Sequence, residues 1–240
     1  MDDETSATVT PTIQSAPAKK LRALEFGLVF LIVFSPLLAV SIYTVATGSS
    51  LGGSSPGKAF TVSGLLTELG GLALLRYVLF RQGRNFRSLG FGFSWRDIPR
   101  SILVIVLAYI AFLVWWFGIV GIYRSLGRPL NSSPQNVEFM SSMLSILGVL
   151  FLVLNPFFEE LIVRAYVISE VQFFTGSQAL AVLISVVIQS SYHLYQGIVP
   201  ALLTTSMFAV FSLYYVRTRR ITPVIIAHMF FDFVALAVRH

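Results

Sequence analysis

Ionisable residues of the kinds that could hydrolyse a peptide bond lie inside long apolar stretches of this sequence. They fall in three separate stretches and are Glu159, Glu160, Arg164, His193, His228 and Asp232. A charged side chain at the centre of a bilayer costs about 2.5–3.5 kcal/mol on insertion scales, so such residues are candidates for function. A carboxylate beside two oriented imidazoles can activate a water and bind the oxyanion that forms when the water attacks a carbonyl. The set therefore predicts peptide hydrolysis.

The two adjacent glutamates are predicted to have different environments. Glu160 and Arg164 are four residues apart with the acid nearer the amino terminus, which is the order that favours an ion pair on a helix. Glu159 is rotated by about 100° from Glu160 and cannot share that arginine equally. Glu159 is therefore the candidate general base, and Glu160 with Arg164 is the predicted positioning pair.

The histidines have polar residues at the same helical spacing. Asp232 follows His228 by four residues, so its carboxylate can hold the ring or accept a hydrogen bond beside it. Gln189 precedes His193 by four residues. We expect each partner to lie on the same helix face as its histidine.

Metal dependence is left open by these residue types. Two histidines with carboxylates form an acceptable zinc ligand set, but the HExxH signature is absent. The glutamate pair already supplies a base, so we predict that no cofactor is required and keep zinc as the alternative.

Three motifs carry a resemblance to a known family. They are FEELIVR with its EExxxR pattern, YHLYQG, and HMFFD with its HxxxD pattern, within roughly residues 150–235. In order and spacing they resemble the CAAX protease and bacteriocin-processing family, also called CPBP or Abi. The resemblance implies a membrane endopeptidase of about eight helices, related to the type 2 CAAX prenyl proteases, with its catalytic pocket inside the membrane.

The resemblance also implies roles for individual residues. Glu159 and His193 match the residues that activate water in that family. His228 and Asp232 match the residues that help to form the oxyanion site. Gln189 stands where the family usually has phenylalanine, and we expect it to orient His193.

The elements that position these residues are predicted to be membrane helices. The chain is 55% hydrophobic and only 12% charged, which excludes an ordinary soluble domain. Continuously apolar spans favour an all-α bundle of about seven to eight helices over a barrel. The predicted spans are 23–47, 59–80, 101–123, 142–172, 178–196, 198–216 and 221–238.

The domain organisation predicted is a disordered tail at 1–20 and a membrane-embedded peptidase domain at 21–240. Most of the lysines and arginines lie in segments that would share a side with the amino terminus, which places that terminus in the cytoplasm. Asn155 and Pro156 are expected to kink or restart the fourth span, with Asn155 as the cap. Glu68 and Arg76 are interpreted as a structural pair or a helix-end anchor outside the site.

The predicted partners are the lipid bilayer and a peptide or protein substrate at the membrane, whether prenylated or plain. The basic residues are dispersed between apolar segments, so the net charge of +6 does not indicate a nucleic-acid partner. We expect an integral protein of a prokaryotic plasma membrane. Two alternatives stay open: a non-enzymatic binding protein such as a bacteriocin-immunity factor, and a proton-coupled transporter.

Overall fold

The protein is an integral membrane protein built as a bundle of helices. A computed structural model describes residues 16–47, 58–127 and 145–238. Within these ranges, five helical segments are long and apolar enough to cross a membrane, and no strand occurs. The helical class predicted from hydropathy is confirmed.

Eight α-helices make up most of the described chain. They are α1 (Ala16–Thr47), α2 (Lys58–Arg81), α3 (Asp97–Ser125), α4 (Ile146–Glu159), α5 (Val167–Thr175), α6 (Gln178–Tyr192), α7 (Ile198–Thr218) and α8 (Thr222–Val238). A π-helix at Glu160–Tyr166 joins α4 to α5, so that Ile146–Thr175 forms one long span. Short 3-10 turns follow α2 at Phe86–Leu89 and α6 at His193–Gln196. Each predicted span thus corresponds to one helix or one continuous helical run.

Some boundaries differ from those predicted. Helix α1 begins at Ala16, so residues 16–20 of the predicted tail are helical, while residues 1–15 lie outside the described part of the chain. Helices α6 and α8 contain 15 and 17 residues and are shorter than the five long spans.

The predicted restart of the helix at Pro156, with Asn155 as its cap, is wrong. Helix α4 continues through both residues to Glu159, and Ser145 is its cap, accepting a hydrogen bond from the Gly148 amide. Proline removes one hydrogen-bond donor from a helix, but packing of α4 against α2 and α8 holds the segment helical. The irregularity appears instead as the π-helix that begins directly after Glu159.

The helices pack in an order that surrounds the π-helix. Helix α4 lies between α2 and α8; α8 packs on α3, α3 on α7, α7 on α6, and α6 on α5. Helix α1 lies against α2, α6 and the 3-10 turn after α6. Residues of α4, the π-helix, α6, α7 and α8 are therefore available to one interior site.

Buried acids join the basic segments at one end of the bundle. Glu170, fully buried on α5, lies 2.6 Å from both the Arg22 Nε and the Arg84 Nη1. Asp97, also fully buried, lies 2.5 Å from the Arg220 Nη2. The start of α1 and the α2–α3 and α7–α8 connections therefore meet at one end, as the sequence prediction of a shared membrane side requires.

The same end contains a close approach between two backbone segments. Gly90 has a φ of +80°, and a Cβ at this position would overlap the carbonyl oxygen of Arg219. The Gly90 carbonyl accepts a hydrogen bond from the Ile221 amide at 3.3 Å. Glycine is needed here both for the left-handed backbone and for the missing side chain.

Helix α2 approaches α4 closely at Gly71. A Cβ on Gly71 would lie 2.5 Å from the Phe158 ring, whereas a Cβ on the adjacent Gly70 would meet nothing within 4 Å. Phe158 is buried, so its ring has little room to move.

We expect Gly71→Ala to lower the thermal unfolding midpoint in detergent, because either the Phe158 ring or α2 must shift. Gly70→Ala is the matched control; it faces open space and gains about 1 kcal/mol of helix propensity. Its midpoint should equal or exceed that of the wild type. Equal midpoints for the two variants would contradict the close packing of α2 on α4.

Candidate active site

The site is centred on the junction between α4 and the π-helix. Glu159 ends α4 and Glu160 begins the π-helix, and both carboxylates are buried. A π-helix changes the direction of successive side chains relative to an α-helix and is frequent at functional sites. The side chains of these two neighbouring acids therefore point in different directions and contact different residues.

Glu160 forms the ion pair predicted with Arg164. The Arg164 Nε donates to Glu160 Oε2 at 2.9 Å, its Nη2 donates to Oε1 at 3.1 Å, and both side chains are fully buried. The remaining Nη1 donates to the Ser212 hydroxyl on α7 at 2.9 Å. This two-point contact is the strongest geometry available to an arginine and a carboxylate.

Glu159 is held by the neutral amides of Gln189 and Asn155 rather than by a guanidinium. Its Oε2 accepts a hydrogen bond from Gln189 Nε2 at 2.8 Å, and its Oε1 accepts one from Asn155 Nδ2 at 3.3 Å. No lysine or arginine in the described ranges forms an ion pair with it. The two glutamates are thus separated as the helical spacing predicts.

His228 on α8 faces both glutamates. Its Nδ1 lies 2.8 Å from Glu160 Oε1, and because the paired carboxylate only accepts, Nδ1 carries a proton. Its Nε2 lies 3.9 Å from Glu159 Oε2 and 3.6 Å from Asp232 Oδ1. Asp232 therefore lies beside the ring as predicted, but Glu160 rather than Asp232 makes the hydrogen bond that orients it.

His193 reaches the site through Gln189. It caps α6, and its Nδ1 donates to the Gln189 carbonyl oxygen at 2.8 Å, which leaves the lone pair on Nε2. Gln189 therefore orients His193 with its backbone, while its side chain holds Glu159. Within the described part of the chain, no hydrogen bond joins His193 directly to Glu159.

Three contributing residues were not in the predicted site. Ser212 supports Arg164, and Asn155 bridges Glu159 to Glu68, since Asn155 Nδ2 also donates to Glu68 Oε1 at 2.8 Å. The interpretation of Glu68 as the partner of Arg76 is wrong: among the described residues no ion pair joins them. The sequence contained one sign of a role for Glu68, because it is an ionisable residue inside an apolar span.

Several buried acceptor oxygens around the site have no hydrogen-bond donor. They are Glu68 Oε2, Gln189 Oε1 and Asp232 Oδ2. Buried polar atoms are nearly always paired in folded proteins, so a concentration of unpaired acceptors needs an explanation. Each of these oxygens can accept a hydrogen bond from an N–H or O–H group of a bound peptide or water.

The residues do not form a ready metal site. Among the described residues, no group of three or more histidines, aspartates and glutamates is placed so that it could hold a metal ion. His228 Nδ1 is occupied by Glu160 and His193 Nδ1 by a backbone carbonyl. Of the imidazole nitrogens, only the two Nε2 atoms therefore remain as possible ligands.

Residues 141–234 match the family model described as type II CAAX prenyl endopeptidase, Rce1-like. The resemblance to the CAAX endopeptidases is confirmed. The matched segment runs from before α4 into α8, so it contains both glutamates and both histidines of the site, and the family implies protease activity. No curated protein and no solved structure matches the chain.

The buried ion pair gives a stability prediction. Arg164→Met leaves the Glu160 carboxylate buried without its cation, and breaking such a pair costs about 3–5 kcal/mol of unfolding free energy. The double variant Glu160→Gln with Arg164→Met removes both charges and should lose less stability than Arg164→Met alone. Equilibrium unfolding in detergent measures both losses.

The control is Arg76→Met, which removes an exposed arginine that has no ion pair in the described ranges. Its unfolding free energy should stay close to that of the wild type. A double variant that is no more stable than Arg164→Met would show that the pair does not act as a unit.

Proposed function

We propose that this chain is an intramembrane endopeptidase in which Glu159 activates a water to hydrolyse a peptide bond. The observation that carries the proposal is the contrast between the two glutamates: Arg164 neutralises Glu160, while two neutral amides hold Glu159. A buried carboxylate that no guanidinium neutralises is able to accept a proton from water. The family match supports the same reaction class.

In the proposed reaction, Glu159 takes a proton from the water as the water oxygen attacks the peptide carbonyl carbon. His193 offers the lone pair of its Nε2 to the same water, because Nδ1–H is fixed on the Gln189 carbonyl. When the carbon–nitrogen bond breaks, Glu159 returns the proton to the leaving amine. Protons and bonds therefore balance without a further reactant.

His228 and Asp232 serve the oxyanion in this proposal. The 3.9 Å between His228 Nε2 and Glu159 Oε2 is too long for a direct hydrogen bond, so the Nε2 proton stays available to a substrate oxygen. In its imidazolium form, His228 donates from Nε2 to the carbonyl oxygen as negative charge develops there. Glu160 holds the ring in this orientation, and Asp232 lies beside Nε2.

The proposed substrate is a membrane-associated protein or peptide. The family description names CAAX prenyl endopeptidases, so a prenylated peptide is the first substrate to test, with a plain peptide beside it. The site lies within a membrane span, and a lipid-anchored substrate would reach it from the bilayer. We place the reaction in a prokaryotic plasma membrane, with neither a cofactor nor a nucleic-acid partner.

The proposal predicts that Glu159→Gln abolishes cleavage. The substitution keeps the size of the side chain but removes the base. We expect kcat to fall by about 10²- to 10⁴-fold. The measurement is cleavage of prenylated and plain peptides by purified protein in liposomes. Glu25→Gln is the matched control, because Glu25 is also a buried acid but pairs with Arg81 on another part of the bundle.

Retention of activity by Glu159→Gln would reject Glu159 as the base. Cleavage of no peptide by the wild type, together with a normal cellular phenotype for Glu159→Gln, would favour a non-enzymatic binding or immunity protein. Proton-coupled flux in the same liposomes without cleavage would favour a transporter.

Metal dependence gives a separate prediction. If the glutamate supplies the base without a metal, a strong chelator should leave the rate of cleavage unchanged. Loss of cleavage on chelation, restored by added zinc, would instead make this a metalloenzyme with His193 Nε2 and His228 Nε2 as candidate ligands.

A further inference from the structure

Glu68 lies on α2, outside the segment that matches the family, and yet it contacts the site. It is buried, with 4% of its surface exposed, and its Oε1 accepts a hydrogen bond from Asn155 Nδ2 at 2.8 Å. The same nitrogen donates to Glu159 Oε1 at 3.3 Å. An amide nitrogen carries two hydrogens, so Asn155 can serve one carboxylate with each.

We propose that Glu68 is a positioning residue that orients the general base Glu159 through Asn155. An asparagine side chain can present either its oxygen or its nitrogen to a neighbour. Asn155 Nδ2 lies 2.8 Å from Glu68 Oε1 and 3.3 Å from Glu159 Oε1, so the nitrogen and not the oxygen of the amide faces the two acids. Glu68 therefore determines that Asn155 donates to Glu159. This inference rests on the proposed function, in which Glu159 takes the proton from water.

The packing of α2 on α4 is what lets the Glu68 side chain reach Asn155. Gly64 and Gly71 stand four residues before and three residues after Glu68, so all three share one helix face. A Cβ on Gly64 would lie 2.7 Å from the Phe151 ring, and Gly71 meets Phe158 in the same way. The small residues bring the two helices together on both sides of Glu68.

The second oxygen of Glu68 distinguishes this residue from a buried acid that only joins two helices through an ion pair. Glu68 Oε2 is buried and has no donor, whereas the buried acids at the end of the bundle, Glu170 and Asp97, pair with arginines. No cation in the described ranges pairs with Glu68. The carboxylate is therefore directed to the site amide and not to an ion pair.

The test compares Glu68→Leu with Glu68→Gln in the peptide cleavage assay. Leucine removes the acceptor and should lower kcat by about 10- to 100-fold through misplacement of Glu159, while KM stays near the wild-type value. Glutamine keeps an acceptor oxygen and should recover most of the rate. Glu25→Leu is the matched control and should leave kcat unchanged, even if it lowers the unfolding midpoint.

A double variant tests whether the effect passes through Asn155. If Glu68 acts only by orienting this amide, Glu68→Leu with Asn155→Leu should lose no more in kcat than Asn155→Leu alone. The proposal would be overturned if the kcat losses of the two single variants multiplied in the double variant, or if Glu68→Leu kept the wild-type kcat. Neither result would contradict the proposed peptidase function.

A second measurement keeps the inference testable if the wild type cleaves no peptide. Unfolding midpoints of Glu68→Leu, Glu159→Gln and their double variant form a cycle, which is repeated in an Asn155→Leu background. We expect the changes in midpoint caused by Glu68→Leu and Glu159→Gln to be non-additive only when Asn155 is present. Additive changes in both backgrounds would show that Glu68 is not coupled to Glu159, whatever reaction the protein performs.

Discussion

A carboxylate and a guanidinium, both fully buried, form the contact on which the rest of the site depends. Removing two charges from water is costly, and the cost is offset only when their remaining hydrogen-bonding atoms are also paired. Here Ser212 on α7 and His228 on α8 complete the pairing of Arg164 and Glu160. The requirement to satisfy this ion pair therefore brings the π-helix, α7 and α8 together, and it orients the imidazole that faces Glu159.

Those parts of the site that depend on spacing within one helix could be predicted from the sequence. The pairing of Glu160 with Arg164 and the position of Asp232 beside His228 both follow from an interval of four residues. The helical bundle followed from apolar span length. The motif order also indicated the family, because each motif carries ionisable residues into an apolar helix, where few are tolerated.

The remaining parts depend on how helices face one another, which spacing does not encode. Asn155 looked like a helix cap, but it lies within α4 and bridges carboxylates on α2 and α4. Glu68 could not be assigned to the site without knowing that α2 packs on α4. The π-helix has no simple residue signature, since it arises where tertiary contacts stabilise one wider turn. Only the structure shows that Gln189 has two roles: its backbone carbonyl orients His193, and its side-chain amide holds Glu159.

The short helices α6 and α8 have a consequence for the lipid around the site. The 17 residues of α8 extend over only about 26 Å, against a hydrocarbon core of about 30 Å, and α6 reaches about 30 Å only together with its 3-10 turn. Both present exposed apolar side chains, among them Leu183, Val187 and Phe230. Hydrophobic mismatch of this kind draws the two leaflets closer together locally. The bilayer would then be thinnest beside α8, which carries His228, and this shortens the path of water from the surface to the scissile bond.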